Sequence, residues 1–287
     1  TAYNFATANS HDFCGGYQTS RYSKYVSLIG ENSHGMQTDY AYDSRRAFID
    51  MDDNLVIANK AQDKIISRLH RSTHKLVNKP AVIFDGQIAK SILGSLMGAI
   101  SGNSLYRKLS FLNDSIQTKI LPDWISITED PFVVKGLSSC YFDNEGCMVK
   151  PRTIIQNGVV QDYLLTGYSA RKLNMQPTGN AGGTHNLAIT NNFSGNISKL
   201  ANQLTDGIII VETIGHGLNM VTGDYSVGAS GLMIKNGIID GFVDNLTIAG
   251  NMQEIFNNIQ YISDDYSFGS INCGSILIND GVISISS

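Results

Sequence analysis

The spacing of apolar residues changes character along this chain. Between residues 13 and 52, "YQTSRYSKYVSLIGEN" and "HGMQTDYAYDSRRAFIDM" alternate apolar and polar positions and are rich in tyrosine, the pattern of half-buried strands. From about Asn54 the period becomes helical. Ala58, Ala61, Ile65, Leu69 and Leu76 fall on one stripe, which predicts a helix to about Val77, with Asn54 as N-cap and Pro80 behind its end. "AVIFD" then reads as a short apolar strand, and Pro80 marks the best boundary between residues 1–79 and 80–287. A second helix is predicted from about Gln87 to Ser101. There "SILGSLMGAISGNSLYRK" sets Gly94, Gly98 and Gly102 four apart, and likewise Ser91, Ser95 and Ala99. An interior glycine costs a helix about 1 kcal/mol relative to alanine, so a bare face of this kind calls for a reason. Close approach of another backbone is one.

Beyond residue 130 the signals are nearly all strand and turn. Asn157-Gly158 in "RTIIQNGVVQDYLL", Asn236-Gly237 in "GLMIKNGIIDGFV" and Asp280-Gly281 in "ILINDGVISI" each divide two β-branched runs. Such pairs suit type I′ turns, so three hairpins are predicted. One more helix, "NMQEIFNNIQYI", follows "TIAG". The class is α+β with a mostly antiparallel sheet.

Composition narrows the functions. A chain of 287 residues with 42% hydrophobic and 16% charged residues can bury a full core, and its formal charge of -4 argues against nonspecific nucleic-acid binding. No run reaches the ~18 to 20 apolar residues of a membrane-spanning helix. The start, "TAYNFATANSHDF", lacks the basic and apolar segments of a signal peptide, and a first residue of Thr rather than Met implies processing or truncation. Cys14, Cys140, Cys147 and Cys273 form no CxxC pair. Cys140 and Cys147 flank a turn and could bridge, but so few cysteines in so long a chain favour reduced thiols in a cytosol.

Several residues carry candidate chemistry. His70 and His74, one helical turn apart in "LHRSTHKL", could chelate zinc, although no glutamate follows either and a third ligand is needed. Surface histidines near a helix C-terminus explain them as well. His185 and His216 lie in glycine-rich turns, "NAGGTHNL" and "TIGHGLNMVTGDYS", neither of which has Walker spacing. No G-x-S-x-G elbow supports a serine hydrolase. Thr1 could in principle act as an N-terminal nucleophile, but truncation produces such ends more often.

Taken in order, "AISGNSLYRKLSFL", "YLLTGYSARKLNMQPTGNAGG", "VETIGHGLNMVTGDYSVGASGLMIKNGII", "TIAGNMQEIFNNI" and "SINCGSILI" resemble the TldD/PmbA family over nearly the whole chain, and within it the PmbA branch, also called TldE. The resemblance implies a mostly antiparallel C-terminal domain over 80–287, preceded by the remainder of an α/β N-terminal domain over 1–79. It implies a cytosolic zinc peptidase of two kinds of subunit, one of which carries HExxxH on a helix with a cysteine near the C-terminus. Aligning "YRK" puts that motif on the glycine-faced helix, where Gly94, Ser95 and Ala99 replace histidine, glutamate and histidine. Cys273 is the candidate for the cysteine position, and one thiolate alone makes no site.

The expected chain is therefore the non-catalytic, cofactor-free member. Its implied partners are an HExxxH-bearing TldD-like subunit, which holds the zinc, or a second copy of itself, and unfolded peptides. The family is linked to peptide maturation and antitoxin turnover, and an older label is modulator of DNA gyrase. Alternatives are a self-sufficient metallopeptidase using His70, His74 or Cys273, and a peptide-binding homodimeric scaffold. Asn180, His185, His216, Asn219, Asp224 and Cys273 are the expected cavity-lining residues, because turns on a rigid sheet often carry binding function.

Overall fold

The computed structural model describes residues 1–33, 35–74, 77–266 and 268–286. It opens with two antiparallel ribbons. β1 (Ala2–Ala8) pairs with β2 (Cys14–Ser20), and β3 (Tyr22–Asn32) pairs along its whole length with β4 (Gly35–Arg45). Alternation sorts the β3–β4 side chains onto two faces. Val26, Leu28 and Ala41 receive Ile57 and Ala61 of α1 (Asn54–Leu69), while Tyr25, Tyr40 and Tyr42 stay exposed on the other face. The β-reading of residues 13–52 overshoots at its end, since Arg45 is followed by a 3-10 turn at Phe48–Asp50. The Asp43 carboxylate ties the following segment back to the strand by accepting the Asp52 amide at 2.8 Å. Strand β1 had no counterpart among the predicted elements.

Helix α1 also departs from its prediction. Asp53, not Asn54, caps it, its carboxylate accepting the Leu55 amide. The helix stops at Leu69, well before Val77. His70 turns extended, the Phe242 amide donates to its carbonyl at 2.7 Å, and the Ser72 amide donates back to Phe242. Bonding to a distant strand thus takes the chain out of the helix. Leu76 of the predicted stripe, like His34 in the predicted β-segment, lies outside the described residues.

Two sheets build the remainder. In chain order the elements are β5 (Ala81–Phe84), α2 (Gly86–Ala99), α3 (Gly102–Tyr106), β6 (Ile127–Glu129), β7 (Arg152–Gln156), β8 (Val159–Val160), α4 (Gly167–Leu173), β9 (Leu187–Ile189), α5 (Ile197–Ala201), β10 (Asp206–Ile214), β11 (Asp224–Lys235), β12 (Ile238–Asn251), α6 (Met252–Asn257), β13 (Ile259–Ile262), β14 (Ile271–Asn272), β15 (Ile276–Ile278) and β16 (Ser284–Ser286). Among the described residues the larger sheet has seven strands in the order β13-β15-β5-β10-β11-β12-β16, the smaller five in the order β14-β9-β6-β7-β8. Among the described strands only β5–β10 and β14–β9 pair in parallel, so the fold is α+β with mainly antiparallel sheets. In the larger sheet, Val82, Phe84, Ile208, Ile210, Ile276 and Ile278 face the main core with α2, whereas Ile83, Ile209 and Leu277 face Leu200 and Ala201 of α5.

Two of the three predicted hairpins form. Asn157 and Gly158 (φ 49° and 78°) join β7 to β8, and Asn236 and Gly237 (φ 50° and 75°) join β11 to β12. The third does not. Both edges of β15 are taken, by β13 and β5, so the segment after Asp280-Gly281 crosses to the far side of the sheet and pairs with β12 as β16. The predicted helix from residue 251 is likewise cut short. Asn251 caps α6 and Met252, Ile255 and Phe256 are buried, but Ile259–Ile262 join β15 as a strand.

Candidate functional site

Helix α2 lies against the larger sheet. Asp85 caps it, accepting the Gln87 amide at 2.9 Å, and burial pushes its carboxyl up from the ordinary aspartate range. Ala89, Ile92, Leu93, Leu96 and Met97 hold the helix to the core. On the opposite side, among the described residues, an added Cβ at Gly94 would meet nothing within 4 Å, and one at Gly98 would touch only Met220 Cε, at 3.4 Å. Ser95 donates its hydroxyl to the Ser91 carbonyl at 3.2 Å.

The bare face is shorter than the spacing of the glycines suggests. α2 ends at Ala99, and Gly102 instead opens α3, buried against Ser169 and Leu165. Its reason for being glycine is this packing. Ala99 is also fully buried, so of the three positions the resemblance aligns with HExxxH only Gly94 and Ser95 reach the open face. Because Gly94 has room and helical geometry, Gly94→Ala should raise stability by about 1 kcal/mol, read as a higher denaturation midpoint with unchanged slope.

The loop between β10 and β11 leans over this face. The Asn219 side chain accepts the Val221 amide at 3.0 Å and its amide donates to the Asp224 carbonyl at 2.8 Å. Asp224 accepts from Thr222 Oγ1 and Asn251 Nδ2, and these bonds hold its carboxyl below the usual range. Asn219 and Asp224 therefore shape the turn that lays Met220 on Gly98. His216 is exposed in the same loop. A surface concavity of about 290 Å³ adjoins it, lined by Phe111, Asn113, Gln253 and Phe256 among others, and includes none of the six expected residues.

The other three expected residues are buried, each with partners in its own surroundings. Cys273 is 1% exposed, donates to the Gly274 carbonyl, and is pushed up to about 12 by burial, with Asp265 reinforcing and Lys90 opposing. Asn180 joins a closed network: its Oδ1 accepts from Arg152 and Thr178, and its Nδ2 donates to Glu129 and Gly183. His185 gives its backbone amide to Glu129 at 3.0 Å, its Nε2 lies 2.8 Å from the Gly179 carbonyl and its Nδ1 3.4 Å from Cys140 Sγ. Sequence reasoning missed Glu129 and Arg152, the centre of that network; "ITED" and "KPRT" carry no signal that separates a buried ion pair from surface charges.

The donors present do not fit zinc on α2. Gly94 has no side chain, Ala99 offers a buried methyl and Ser95 no carboxylate. His70 and His74 do not share a helical face, because the helix ends before either; His74 instead meets Lys235 and Asp240. Among the described residues one cluster could hold a metal, Asp143, Glu145 and Cys147. The Asp143 carboxylate there already accepts the amides of Glu145, Cys147 and Ala181, which makes it a loop clip.

Residues 78–284 match the PmbA/TldA metallopeptidase C-terminal domain and residues 2–69 match the central domain of the same family. The chain belongs to the PmbA/TldA metallopeptidase family. A Haemophilus influenzae relative, Metalloprotease PmbA homolog, is 40% identical over 277 residues, 96% of this chain and 61% of that protein. A crystal structure from Bacteroides thetaiotaomicron, described as a modulator of DNA gyrase, superposes with TM-score 0.89 at 25% identity, over 97% of this chain and 62% of that one. TldE from Thermococcus kodakarensis shares the fold, with TM-score 0.86 at 20% identity over 99% of this chain and 67% of that one. The chain spans about three fifths of the length of the curated PmbA relatives it matches.

Proposed function

We propose that this chain is the PmbA/TldE-type subunit of a cytoplasmic two-subunit zinc peptidase that acts on unfolded peptides, and that it supplies no zinc ligand or general base itself. The observation carrying this reading is the open face of α2, where Gly94 leaves space and neither it nor Ser95 offers an imidazole or a carboxylate. In this reading an HExxxH-bearing TldD-like partner holds the zinc, which needs three protein ligands, an open position and a carboxylate base. The face around Gly94, Gly98 and Met220 then walls a cavity that the partner closes.

Purified with added zinc, the chain alone should cleave no unfolded casein and retain no stoichiometric metal. Co-expressed with an HExxxH-bearing relative, it should co-purify with that relative and support cleavage abolished by a chelator. Stoichiometric zinc in the isolated chain, or chelator-sensitive cleavage by it that persists through rigorous purification, would overturn the reading. Failure to co-purify with such a relative would too.

A further inference from the structure

Cys140 and His185 form a pair outside the site described above. Cys140 is half-buried in the loop after β6, and His185 sits at the start of β9's approach, 8% exposed. Their side chains meet at 3.4 Å, Sγ to Nδ1. The tautomer follows from the other ring nitrogen. Nε2 lies 2.8 Å from the Gly179 carbonyl, which only accepts, so Nε2 carries a proton. In neutral imidazole Nδ1 is then the acceptor, and the Cys140 thiol is the donor pointing at it. A base held by a third group beside a thiol is the arrangement that activates a nucleophile.

The surroundings favour moving that proton. Burial alone would lower the His185 value, but bonds to Cys140 and Gly179 and the charges of Cys140 and Glu129 outweigh it, lifting the imidazole to about 9. Arg46 is anchored on the same loop by Nε to the Gly136 carbonyl and Nη2 to the Leu137 carbonyl. Burial holds its guanidinium below the usual arginine range, with Tyr17 and Cys140 opposing and Arg21 reinforcing. Tyr17 of β2 is raised by burial and by Cys140 and stays neutral there. Glu129 is compensated by Arg152, and Asp130 turns its carboxylate to the Phe132 amide.

We infer that His185 is the base that takes the Cys140 proton as the sulfur reacts, and that Cys140 is a modification site for small-molecule disulfides. As His185 Nδ1 takes the thiol proton, Cys140 Sγ attacks one sulfur of the disulfide, a new S–S bond to Sγ forms, and the original S–S bond breaks. The departing thiolate leaves with the electron pair and takes the proton from His185. The products are a mixed disulfide at Cys140, one small thiol and neutral His185. A thiol whose proton a neighbouring base removes is a better nucleophile than a free one.

The test is competitive alkylation of the intact chain with iodoacetamide across a pH series, with each cysteine read by peptide mass spectrometry. Exposed Cys14 is the comparison, and buried Cys273 the control that reacts only on unfolding. Cys140 should label about tenfold faster than Cys14 near pH 6, and the difference should vanish in denaturant. It should also form a mixed disulfide with oxidised glutathione ahead of the other three cysteines. His185→Gln, which keeps a donor for the Gly179 carbonyl but removes the base, should return Cys140 to the Cys14 profile. A Cys140 profile matching Cys14 in the wild-type chain, or an inert Cys140, overturns the inference whether or not the variant folds. An unchanged profile in a folded His185→Gln chain overturns it as well.

Discussion

Arg152→Ala should destabilise the protein by about 3–5 kcal/mol, the range for removing one partner of a buried ion pair. The guanidinium donates Nε to Glu129 at 2.5 Å, Nη1 to Asp162 at 2.6 Å and to the Tyr163 carbonyl at 3.2 Å, and Nη2 to Asn180. Glu129 is 1% exposed, so without Arg152 it must either stay charged in a poor solvent or take up a proton. The loss should appear as a lower midpoint in urea at unchanged slope. Adding Glu129→Gln removes the stranded charge and should recover part of the loss, a coupling that a double-mutant cycle measures. Strict additivity of the two changes would show that the pair is not coupled as its geometry requires.

Gly217→Ala should cost about 1–3 kcal/mol through overpacking. A Cβ there would run into the Ser226 carbonyl and Val227 Cγ1, at a point where the Ser226 amide donates to the Gly217 carbonyl at 2.9 Å. The backbone, not a flexible side chain, would have to give way. The strain falls on the loop that carries Met220 over Gly98, and the Phe111 amide donates to the Met220 carbonyl at 2.8 Å. Hydrogen exchange at Phe111 should therefore accelerate more than exchange in β5. In the proposed two-subunit peptidase, partner-dependent cleavage should fall with it. A Gly217→Ala chain with wild-type stability and wild-type exchange at Phe111 would mean that the close approach constrains nothing.

What the sequence could tell depended on whether the signal was local. The Asn-Gly turns formed because their requirement, positive φ at two successive residues, is met within the turn itself. Asp280-Gly281 has a similar composition and failed, because its flanks pair with strands outside the turn: β15 with β13 and the distant β5, and β16 with β12. The end of α1 was lost for the same reason, since Phe242 claims the backbone at His70 and Ser72. At the candidate site, the open glycine face was readable from residue types. Its true extent was not, because Gly102 answers to Ser169 on α4 rather than to its own helical period. Asn180 and His185 were singled out as loop residues, yet their partners Glu129, Arg152 and Cys140 come from separate stretches that no spacing rule connects.

The placement of β15 bears on synthesis as well as on architecture. Residues 276–278 fill the edge of β5, at residues 81–84, and residues 284–286 cover the edge of β12. Until residues 276–286 leave the ribosome, the edges of β5 and β12 lack the strands that later pair with them, and β13 has no strand to join. Loop closure over so many residues must precede the stabilising contacts, which slows folding and leaves unpaired strand edges available to other chains. Nascent chains truncated before Ile276 should thus need chaperone protection that the finished protein does not, and deletions within residues 276–286 should harm yield far more than equal deletions at loop tips.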